Sequence, residues 1–199
     1  MNVACSEDRL VRVLTSDGET LQGFAEEIPS GFGLKIGECE IPAERIASVS
    51  DLGIMRRIRR FQELTVSELY AILRARVDVF VVEQQCLYRE LDDRDQDAVH
   101  IWLEDTKGLQ AYLRLMRPGV ESEHASLGRV LTCTRGCGYG SLLLREGIRA
   151  ARELMKADTL YIEAQCAVRG FYEKHGFRAV SDAFDLDGIP HVRMLRNPD

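Results

Sequence analysis

The chain has 199 residues, of which 45% are hydrophobic and 29% are charged. These values are ordinary for a globular protein, and the length allows one domain, or one domain with a small module. No apolar run approaches the roughly 18 residues that cross a bilayer. The N-terminus lacks the basic and apolar regions of a secretory signal. We therefore expect a cytoplasmic protein without a membrane partner.

Acidic residues are concentrated at the start of the chain. Residues 1–55 carry four basic and ten acidic side chains, whereas residues 56–199 are balanced, so the net charge of −6 lies in the first part. Such a break suggests a module over 1–55 and a larger domain over 56–199. Phosphate contacts need basic groups, so this distribution argues against nucleic-acid binding.

The six cysteines show no spacing that is typical of a metal site. The nearest pair is Cys133 and Cys137, and no histidine cluster accompanies it. We expect free thiols and no metal. Cys137 lies within a glycine-rich turn, where a small residue is sufficient to explain it.

The first 55 residues predict short strands separated by turns. Ser16-Asp17-Gly18 is a hairpin signal, and Ser30-Gly31 marks a second turn. The pattern suggests a small β-barrel of the SH3 or Sm type. The predicted strands are Leu10–Leu14, Thr20–Glu26, Phe32–Ile36, Ile41-Pro42 and Ile46–Val49.

The larger domain begins with helical signals. Arg56–Arg60 is interpreted as a connector or an edge strand, and Thr65–Glu68 has the spacing of a capping box. The helix that follows places Leu69, Ile72, Leu73 and Val77 on one face. The acidic segment 91–97 is either a solvated turn or a site that attracts a cationic amine.

The remaining elements predict an α/β fold with a mixed sheet. A glycine-rich turn lies at the C-terminal end of a central strand, where open sheets bind ligands. The strands are expected at Val99–Glu104, Leu109–Met116, Ser126–Cys133, Leu160–Ala164 and Val192–Leu195, with helices after the glycine turn and over 167–175.

The glycine-rich turn predicts an anion site. Its sequence is Arg135-x-x-Gly138-x-Gly140, between an apolar run and a helical pattern. A helix N-terminus presents unpaired N–H groups and the positive end of its dipole. The turn lacks the Lys-Ser/Thr ending of a P-loop, and its glycines are out of register with the dinucleotide fingerprint. A purely structural turn is the alternative.

Two motifs carry a family resemblance. The R-x-x-G-x-G spacing resembles the pyrophosphate motif of the GNAT superfamily of N-acetyltransferases, and Tyr172–Phe177 resembles its Y-x-x-x-G-F signature. Segments such as 68–86, Gly128-Arg129-Val130 and Gly188–His191 resemble the ElaA-like branch. The resemblance covers about residues 60–196 and implies a GNAT-type mixed, mostly antiparallel sheet flanked by helices.

The resemblance implies an acyl-CoA-dependent N-acetyltransferase. Acetyl-CoA would be the co-substrate, and a primary amine of a small molecule or peptide would accept the acetyl group directly; a homodimer is left open. The implied CoA-binding residues are Val130, Leu131, Thr132, Arg135, Gly136, Cys137, Gly138, Tyr139, Gly140, Ser141 and Gln165. The alternatives are a non-catalytic acyl-CoA-binding or scaffold protein and a nucleotide-binding protein.

Acetyl transfer also needs proton donors and acceptors. Tyr172 is the family-based donor to the leaving thiolate, although a buried core tyrosine is the alternative. The amide of Leu131 is the candidate that polarises the thioester carbonyl. Glu83, His100 and His191 are the candidate bases, with helix capping the alternative for Glu83 and structural hydrogen bonding for the histidines. Arg129 is expected to pair with an acidic neighbour.

Overall fold

The computed structural model describes residues 8–28, 33–86 and 88–198. The predicted turn at Ser30-Gly31 and the start of the following strand at Phe32 lie outside these residues. The chain divides into two compact units. The first comprises the described part of Met1–Arg57 together with Leu103–Gly108, and the second comprises Ile58–Trp102 together with Leu109–Asp199.

The first unit is built from antiparallel strands. The hairpin predicted over Ser16-Asp17-Gly18 is confirmed, since β1 pairs with β2 and Gly18 has a φ of 88°. The strands are β1 (Arg9–Thr15), β2 (Thr20–Glu27), β3 (Gly33–Ile36), β4 (Cys39–Pro42) and β5 (Ile46–Arg60). Their hydrogen-bonded order is β5-β1-β2-β3-β4, and closure into a barrel stays a prediction. The core contains Val11, Val13, Ala25, Leu34, Ile36 and Ile41.

Strand β5 is longer than predicted. It includes Arg56–Arg60, which were expected to form a connector or an edge strand. The side chain of Arg56 is 7% exposed and lies 3.4 Å from the Asp8 carboxylate. The basic run therefore contains a buried arginine with a half-exposed carboxylate partner and is part of a strand, not a solvated linker.

The predicted capping box is present at the start of the first α-helix of the second unit. The Thr65 hydroxyl accepts a hydrogen bond from the Glu68 amide at 3.2 Å, and the Glu68 carboxylate accepts one from the Thr65 amide at 2.8 Å. These contacts satisfy N–H groups that the helix would otherwise leave free. Helix α1 (Val66–Arg76) then continues into π-helical turns over Val77–Glu83.

One side chain of the predicted buried face is not buried. Val77 was predicted on the buried face, but it is 39% exposed, while Val79 and Phe80 are buried instead. Val77 lies five positions after Ile72 and therefore off the helical face whose buried residues, at the spacing i, i+3, i+4, i+7 and i+8, are Ile72, Ala75, Arg76, Val79 and Phe80. The prediction for Ile72 is correct, because this side chain is fully buried.

The sheet of the second unit confirms the predicted mixed, mostly antiparallel architecture. Its order is β6-β7-β8-β9-β12-β10, and β11 pairs with β12. The strands are β6 (Val99–Asp105), β7 (Gly108–Met116), β8 (Ala125–Thr132), β9 (Leu160–Gln165), β10 (Arg178–Ala179), β11 (Phe184–Leu186) and β12 (Ile189–Arg196). The remaining helices are α2 (Tyr139–Met155) and α3 (Arg169–Glu173).

Strands β8 and β9 separate soon after they begin. They pair in parallel only at Ala125 with Leu160 and at Ser126 with Tyr161. Strand β9, in contrast, pairs with β12 from Leu160 to Gln165. The sheet therefore opens between β8 and β9 towards their C-terminal ends.

A β-bulge interrupts β8 at this opening. Gly128 lies opposite Arg114, and Leu131 lies opposite Tyr112. Two residues of β8, Arg129 and Val130, therefore share the single position opposite residue 113. A bulge of this kind bends a strand and increases its twist.

No helix within the described residues combines the length and apolar character of a membrane span.

Candidate active site

A cavity of about 650 Å³ lies where β8 and β9 separate. Its walls come from both strands and from the segments that pack around them. Strand β8 contributes Ser126–Val130 and β9 contributes Tyr161–Gln165. Other lining residues include Phe80, Gln84, Tyr88, Asp92, Glu121, Val168, Tyr172 and His191. A volume of this size is typical of a small-molecule or cofactor site.

The glycine turn joins β8 to α2 as predicted. Gly136 and Gly138 both have a φ of 78°, a left-handed conformation that glycine adopts without steric cost. Gly138 is the N-cap of α2 and has no side chain to bond the first amides of the helix. The N-terminus of a 17-residue helix can therefore bind an anion through its main chain.

Arg135, at the start of this turn, forms an ion pair with Glu83. Both side chains are substantially exposed, at 64% and 48%. Glu83 ends the π-helical segment and does not line the described cavity. The structure thus places this candidate base beside the phosphate motif and away from the cavity wall.

Ser141 in the first turn of α2 is connected to the Y-x-x-x-G-F segment. Its hydroxyl lies 3.1 Å from Nε2 of His175. His175 was not singled out by sequence reasoning, although it lies within the motif that follows Tyr172. The contact joins the two family motifs, which are far apart in the sequence.

Tyr172 is a buried cavity-lining residue. It is 8% exposed, and its ring packs edge-on against Phe171 and Phe177, with centroids 5.1 and 5.8 Å away. Its hydroxyl has no hydrogen-bond partner in the described part of the chain. Burial raises the pKa of Tyr172, so the phenol stays protonated at neutral pH. The group can donate a proton but is a poor base.

His100 is held entirely by structural hydrogen bonds. It is fully buried, its Nε2 lies 3.0 Å from the Asp95 carbonyl oxygen and its Nδ1 lies 2.8 Å from the Tyr112 hydroxyl. Because a carbonyl only accepts, Nε2 carries the proton and Nδ1 accepts from Tyr112. Burial lowers the pKa of His100. It does not line the cavity described here, so the alternative of a structural histidine applies.

His191, unlike His100, lines the cavity, and only one of its two ring nitrogens has a hydrogen-bond partner in the described part of the chain. Its Nδ1 lies 2.8 Å from the Ile189 carbonyl oxygen, so Nδ1 carries the proton and Nε2 has a free lone pair in the neutral ring. His191 lines the cavity and lies opposite Gln165 in the pairing of β12 with β9. Gln165 also lines the cavity, and its amide donates to the Gln84 side chain at 3.2 Å.

The amide of Leu131 is directed away from the opening. The neighbouring amide of the same orientation, that of Cys133, donates to the Gln110 carbonyl on β7 at 2.8 Å. Amides alternate along a strand, so the Leu131 amide also points to β7, where Tyr112 lies opposite. The amide of Thr132 points to the other side, where β9 lies. This geometry disfavours Leu131 as the group that polarises a bound carbonyl.

The acidic segment 91–97 is mostly exposed, but its Asp92 and Asp95 side chains bind buried arginines. Asp92 accepts two hydrogen bonds from Arg114, at 2.6 and 2.7 Å, and Asp95 accepts one from Arg76 at 2.6 Å. Burial would raise the pKa of Asp92, but the hydrogen bonds from Arg114 outweigh it and lower the pKa to about 2. The charge of Asp92 is thus compensated within the protein. Local spacing does not indicate the two arginines as partners, since they lie on α1 and β7.

Comparison with known proteins agrees with this geometry. Residues 63–197 match the family described as "Acetyltransferase (GNAT) domain". Protein ElaA of Escherichia coli strain K12 is 36% identical over 140 residues, which cover 67% of this chain and 90% of ElaA. The chain belongs to the GNAT acetyltransferase family, and the fold and the matches define it as an acyltransferase.

Solved structures give the same result. An acyl-CoA N-acyltransferase from Pseudomonas aeruginosa matches with a TM-score of 0.66 and 35% identity, over 71% of this chain and 98% of that one. The crystal structure of Escherichia coli ElaA matches with a TM-score of 0.66 and 33% identity, over 72% and 99%. The chain is therefore similar to the ElaA-like branch over its second unit.

Metal binding was not expected from the sequence. In the part of the chain that the structure describes, no group of three or more His, Cys, Asp or Glu side chains could hold a metal ion. Besides the phenol of Tyr172, the imidazole of His191 and two glutamine carboxamides, the cavity lining includes two further tyrosines and charged side chains, among them Asp92, Glu121, Arg129 and Glu163.

Proposed function

We propose that the protein transfers the acetyl group of acetyl-CoA directly to a primary amine of a small molecule or peptide. One observation carries the proposal. A protonated phenol at Tyr172 and an imidazole with a free Nε2 at His191 line the same cavity. Attack of an amine on a thioester needs a proton removed from the amine and a proton supplied to the departing sulfur.

The binding residues follow from the turn and the strand before it. The diphosphate of CoA is held by the amides after Thr134 and by Arg135, which exchanges Glu83 for the ligand. The thioester carbonyl accepts a hydrogen bond from Thr132, whose amide faces the opening. Val130 on β8 and Gln165 on β9 both line the cavity. The residues that approach the phosphates are Gly136, Cys137, Gly138, Tyr139, Gly140 and Ser141.

The chemical roles follow from the proton states. His191 accepts a proton from the ammonium group, directly or through water, and the neutral amine attacks the thioester carbon. The carbon–sulfur bond then breaks as Tyr172 gives its proton to the sulfur, and CoA leaves as the free thiol. The nitrogen, now bonded to the acyl carbon, loses its second proton to the Tyr172 phenolate, directly or through water, and His191 releases its proton to solvent. In this assignment neither Glu83 nor His100 takes part in proton transfer.

Release of free CoA thiol from acetyl-CoA tests the function. The purified protein is incubated with polyamines, amino acids and peptides, and thiol formation is followed. Tyr172→Phe is expected to lower kcat by about 10²-fold or more, the contribution of a general acid, while the Kd for acetyl-CoA is unchanged. Tyr70→Phe, which alters an exposed tyrosine of α1, serves as the matched control.

The rival is a protein that binds acyl-CoA without turning it over. It predicts normal acetyl-CoA affinity and no thiol release with any amine. A covalent route is tested by intact mass spectrometry after incubation with acetyl-CoA alone, because Cys133 and Cys137 are exposed thiols near the turn. An acetylated protein that passes its acetyl group to amine would exclude direct transfer.

We also propose that residues 1–55 form a module apart from the chemistry. The family match begins only at residue 63. A chain that lacks residues 1–55 is expected to release thiol from acetyl-CoA at the rate of the full-length protein, and a large loss of kcat in a folded deletion variant would contradict the proposal.

A further inference from the structure

The bulge of β8 places an arginine in an unusual conformation. Arg129 has a φ of +54°, a left-handed conformation that a side chain with a Cβ adopts only at an energetic cost. The preceding residue is Gly128, which could adopt this conformation freely but does not have a positive φ. The strained position therefore carries a long charged side chain although a glycine is adjacent.

Three groups hold that side chain. Its Nε lies 3.0 Å from Glu90 Oε1, and its Nη2 lies 3.3 Å from Asp92 Oδ2. The guanidinium also stacks over the Tyr88 ring, with its carbon 5.0 Å from the centroid. The Arg129 side chain is 18% exposed and that of Glu90 is 6% exposed, so water screens the first ion pair weakly.

The partners of Arg129 are themselves fixed. Arg76, fully buried at the end of α1, lies 2.6 Å from the same Glu90 oxygen. Arg114 holds Asp92 through two hydrogen bonds. Each carboxylate that holds the bulge is thus anchored by a second arginine on a regular element. A rigid support of this kind is what a strained backbone needs to persist.

We propose that Arg129 is a positioning residue. Its ion pairs with Glu90 and Asp92 hold the strained bulge of β8, and the bulge in turn directs the Thr132 amide into the opening between β8 and β9. This inference rests on the proposed site of the thioester. The side chain acts on the reaction through the backbone that it holds.

The comparison of glycine with alanine at position 129 tests the inference. Arg129→Ala removes the ion pairs but keeps the Cβ, so the strain is no longer balanced and the bulge relaxes. Arg129→Gly removes both the ion pairs and the strain. We expect the glycine variant to have a folding equilibrium constant roughly threefold or more above that of the alanine variant. We also expect it to recover part of the kcat that Arg129→Ala loses, with little change in the Kd for CoA.

Arg152 provides a matched control. It is an arginine in the last turn of α2 and lies 3.3 Å from Asp158. There the helical backbone favours alanine over glycine, so the order of the two variants is reversed. The inference is overturned if Arg129→Gly is no more stable than Arg129→Ala, or if the two have equal kcat.

Two readouts separate this inference from the proposed function. If the wild-type protein releases no thiol with any amine, the proposed function fails, and the order of stabilities still decides whether Arg129 holds a strained bulge. If the wild-type protein shows turnover and Arg129→Gly is more stable than Arg129→Ala but has no higher kcat, the backbone strain is real and the positioning role is wrong. Glu90→Gln is expected to lower kcat in the same direction as Arg129→Ala, because it removes the charge that both arginines share.

Discussion

The carboxylate of Glu83 forms an ion pair with the guanidinium of Arg135, the first residue of the R-x-x-G-x-G turn. The two residues are 52 positions apart in the chain. Exposed ion pairs contribute on the order of 1 kcal/mol or less. In the proposed function, Arg135 exchanges this partner for a diphosphate at little cost, and Glu83 would compete with the ligand.

Removal of the Glu83 charge is expected to strengthen CoA binding. Glu83→Gln frees Arg135 and removes a negative charge near the turn, so the Kd for CoA should fall by roughly 2- to 5-fold, within the range of an exposed ion pair. Titration calorimetry at two salt concentrations checks this, and the gain should shrink as salt screens the charges. Glu153→Gln, on the exposed side of α2, is the control. A large loss of kcat would instead indicate that Glu83 is the general base and would contradict the assignment to His191.

The two buried histidines should respond differently to substitution. His191→Gln removes the free Nε2 in the cavity and is expected to lower kcat by about 10²-fold at neutral pH, with a smaller loss of melting temperature than His100→Gln because only the hydrogen bond to the Ile189 carbonyl is lost. His100→Gln breaks hydrogen bonds to Tyr112 and Asp95. It should lower the free energy of unfolding by about 1–3 kcal/mol. Measurement of kcat and thermal melting for both variants separates the roles; an inactive but stable His100→Gln protein would contradict the assignment.

Asp92 should contribute stability that acid removes. Its folded pKa of about 2 lies below the unfolded value, so the contribution is complete above about pH 4 and is lost as the pH falls towards 2. At pH 7, Asp92→Asn leaves Arg114, which is 1% exposed, without a charged bidentate partner. The expected loss is about 3 kcal/mol.

Urea unfolding from pH 7 to pH 2 measures this loss. The wild-type and Asp92→Asn curves should converge as the pH falls. Asp93→Asn makes the same change at the next residue, which is exposed and has a φ of +62° that asparagine tolerates. A stability difference for Asp92→Asn that does not depend on pH would show that charge is not its cause.

The N-cap glycine of α2 should be needed for both folding and binding. Gly138 has a φ of 78°, so Gly138→Ala should cost about 1–2 kcal/mol of stability. It should also weaken CoA binding, because the turn relaxes. Gly140 has an ordinary φ, and a Cβ there would meet Phe171 and Thr132 at 3.5 Å, an ordinary contact distance. Gly140→Ala should therefore retain the melting temperature, which differential scanning calorimetry can compare.

Local signals were sufficient to predict much of the fold. The capping box at Thr65–Glu68, the hairpin over Ser16–Gly18 and the strand–turn–helix around Gly138 were all read correctly from neighbouring residues. Each of these features depends on backbone preferences and hydrogen bonds within a few positions. The exposure of Val77 was not predicted, because the buried face is centred on Ile72 and Val79 and turns Val77 away from the core.

The hydrogen-bond partners of the candidate bases are visible only in the tertiary structure. His100 and His191 look alike in sequence, since both lie on strands among apolar residues. The difference is that both nitrogens of His100 are occupied by distant groups, while Nε2 of His191 has no partner within the described chain. Hydrogen-bond partners from other elements cannot be read from local spacing.

The sequence by itself determined the family, the order of the main elements and the glycine turn between β8 and α2, because these depend on short-range patterns. The tertiary structure decided which side chains share the cavity, which carboxylates are neutralised and which amides face the opening. Arg129 illustrates the difference, since its left-handed backbone and its pairing with Glu90, 39 residues away, exist only once α1, β7 and β8 have packed together. Burial makes those ion pairs strong, and burial is a property of the whole fold.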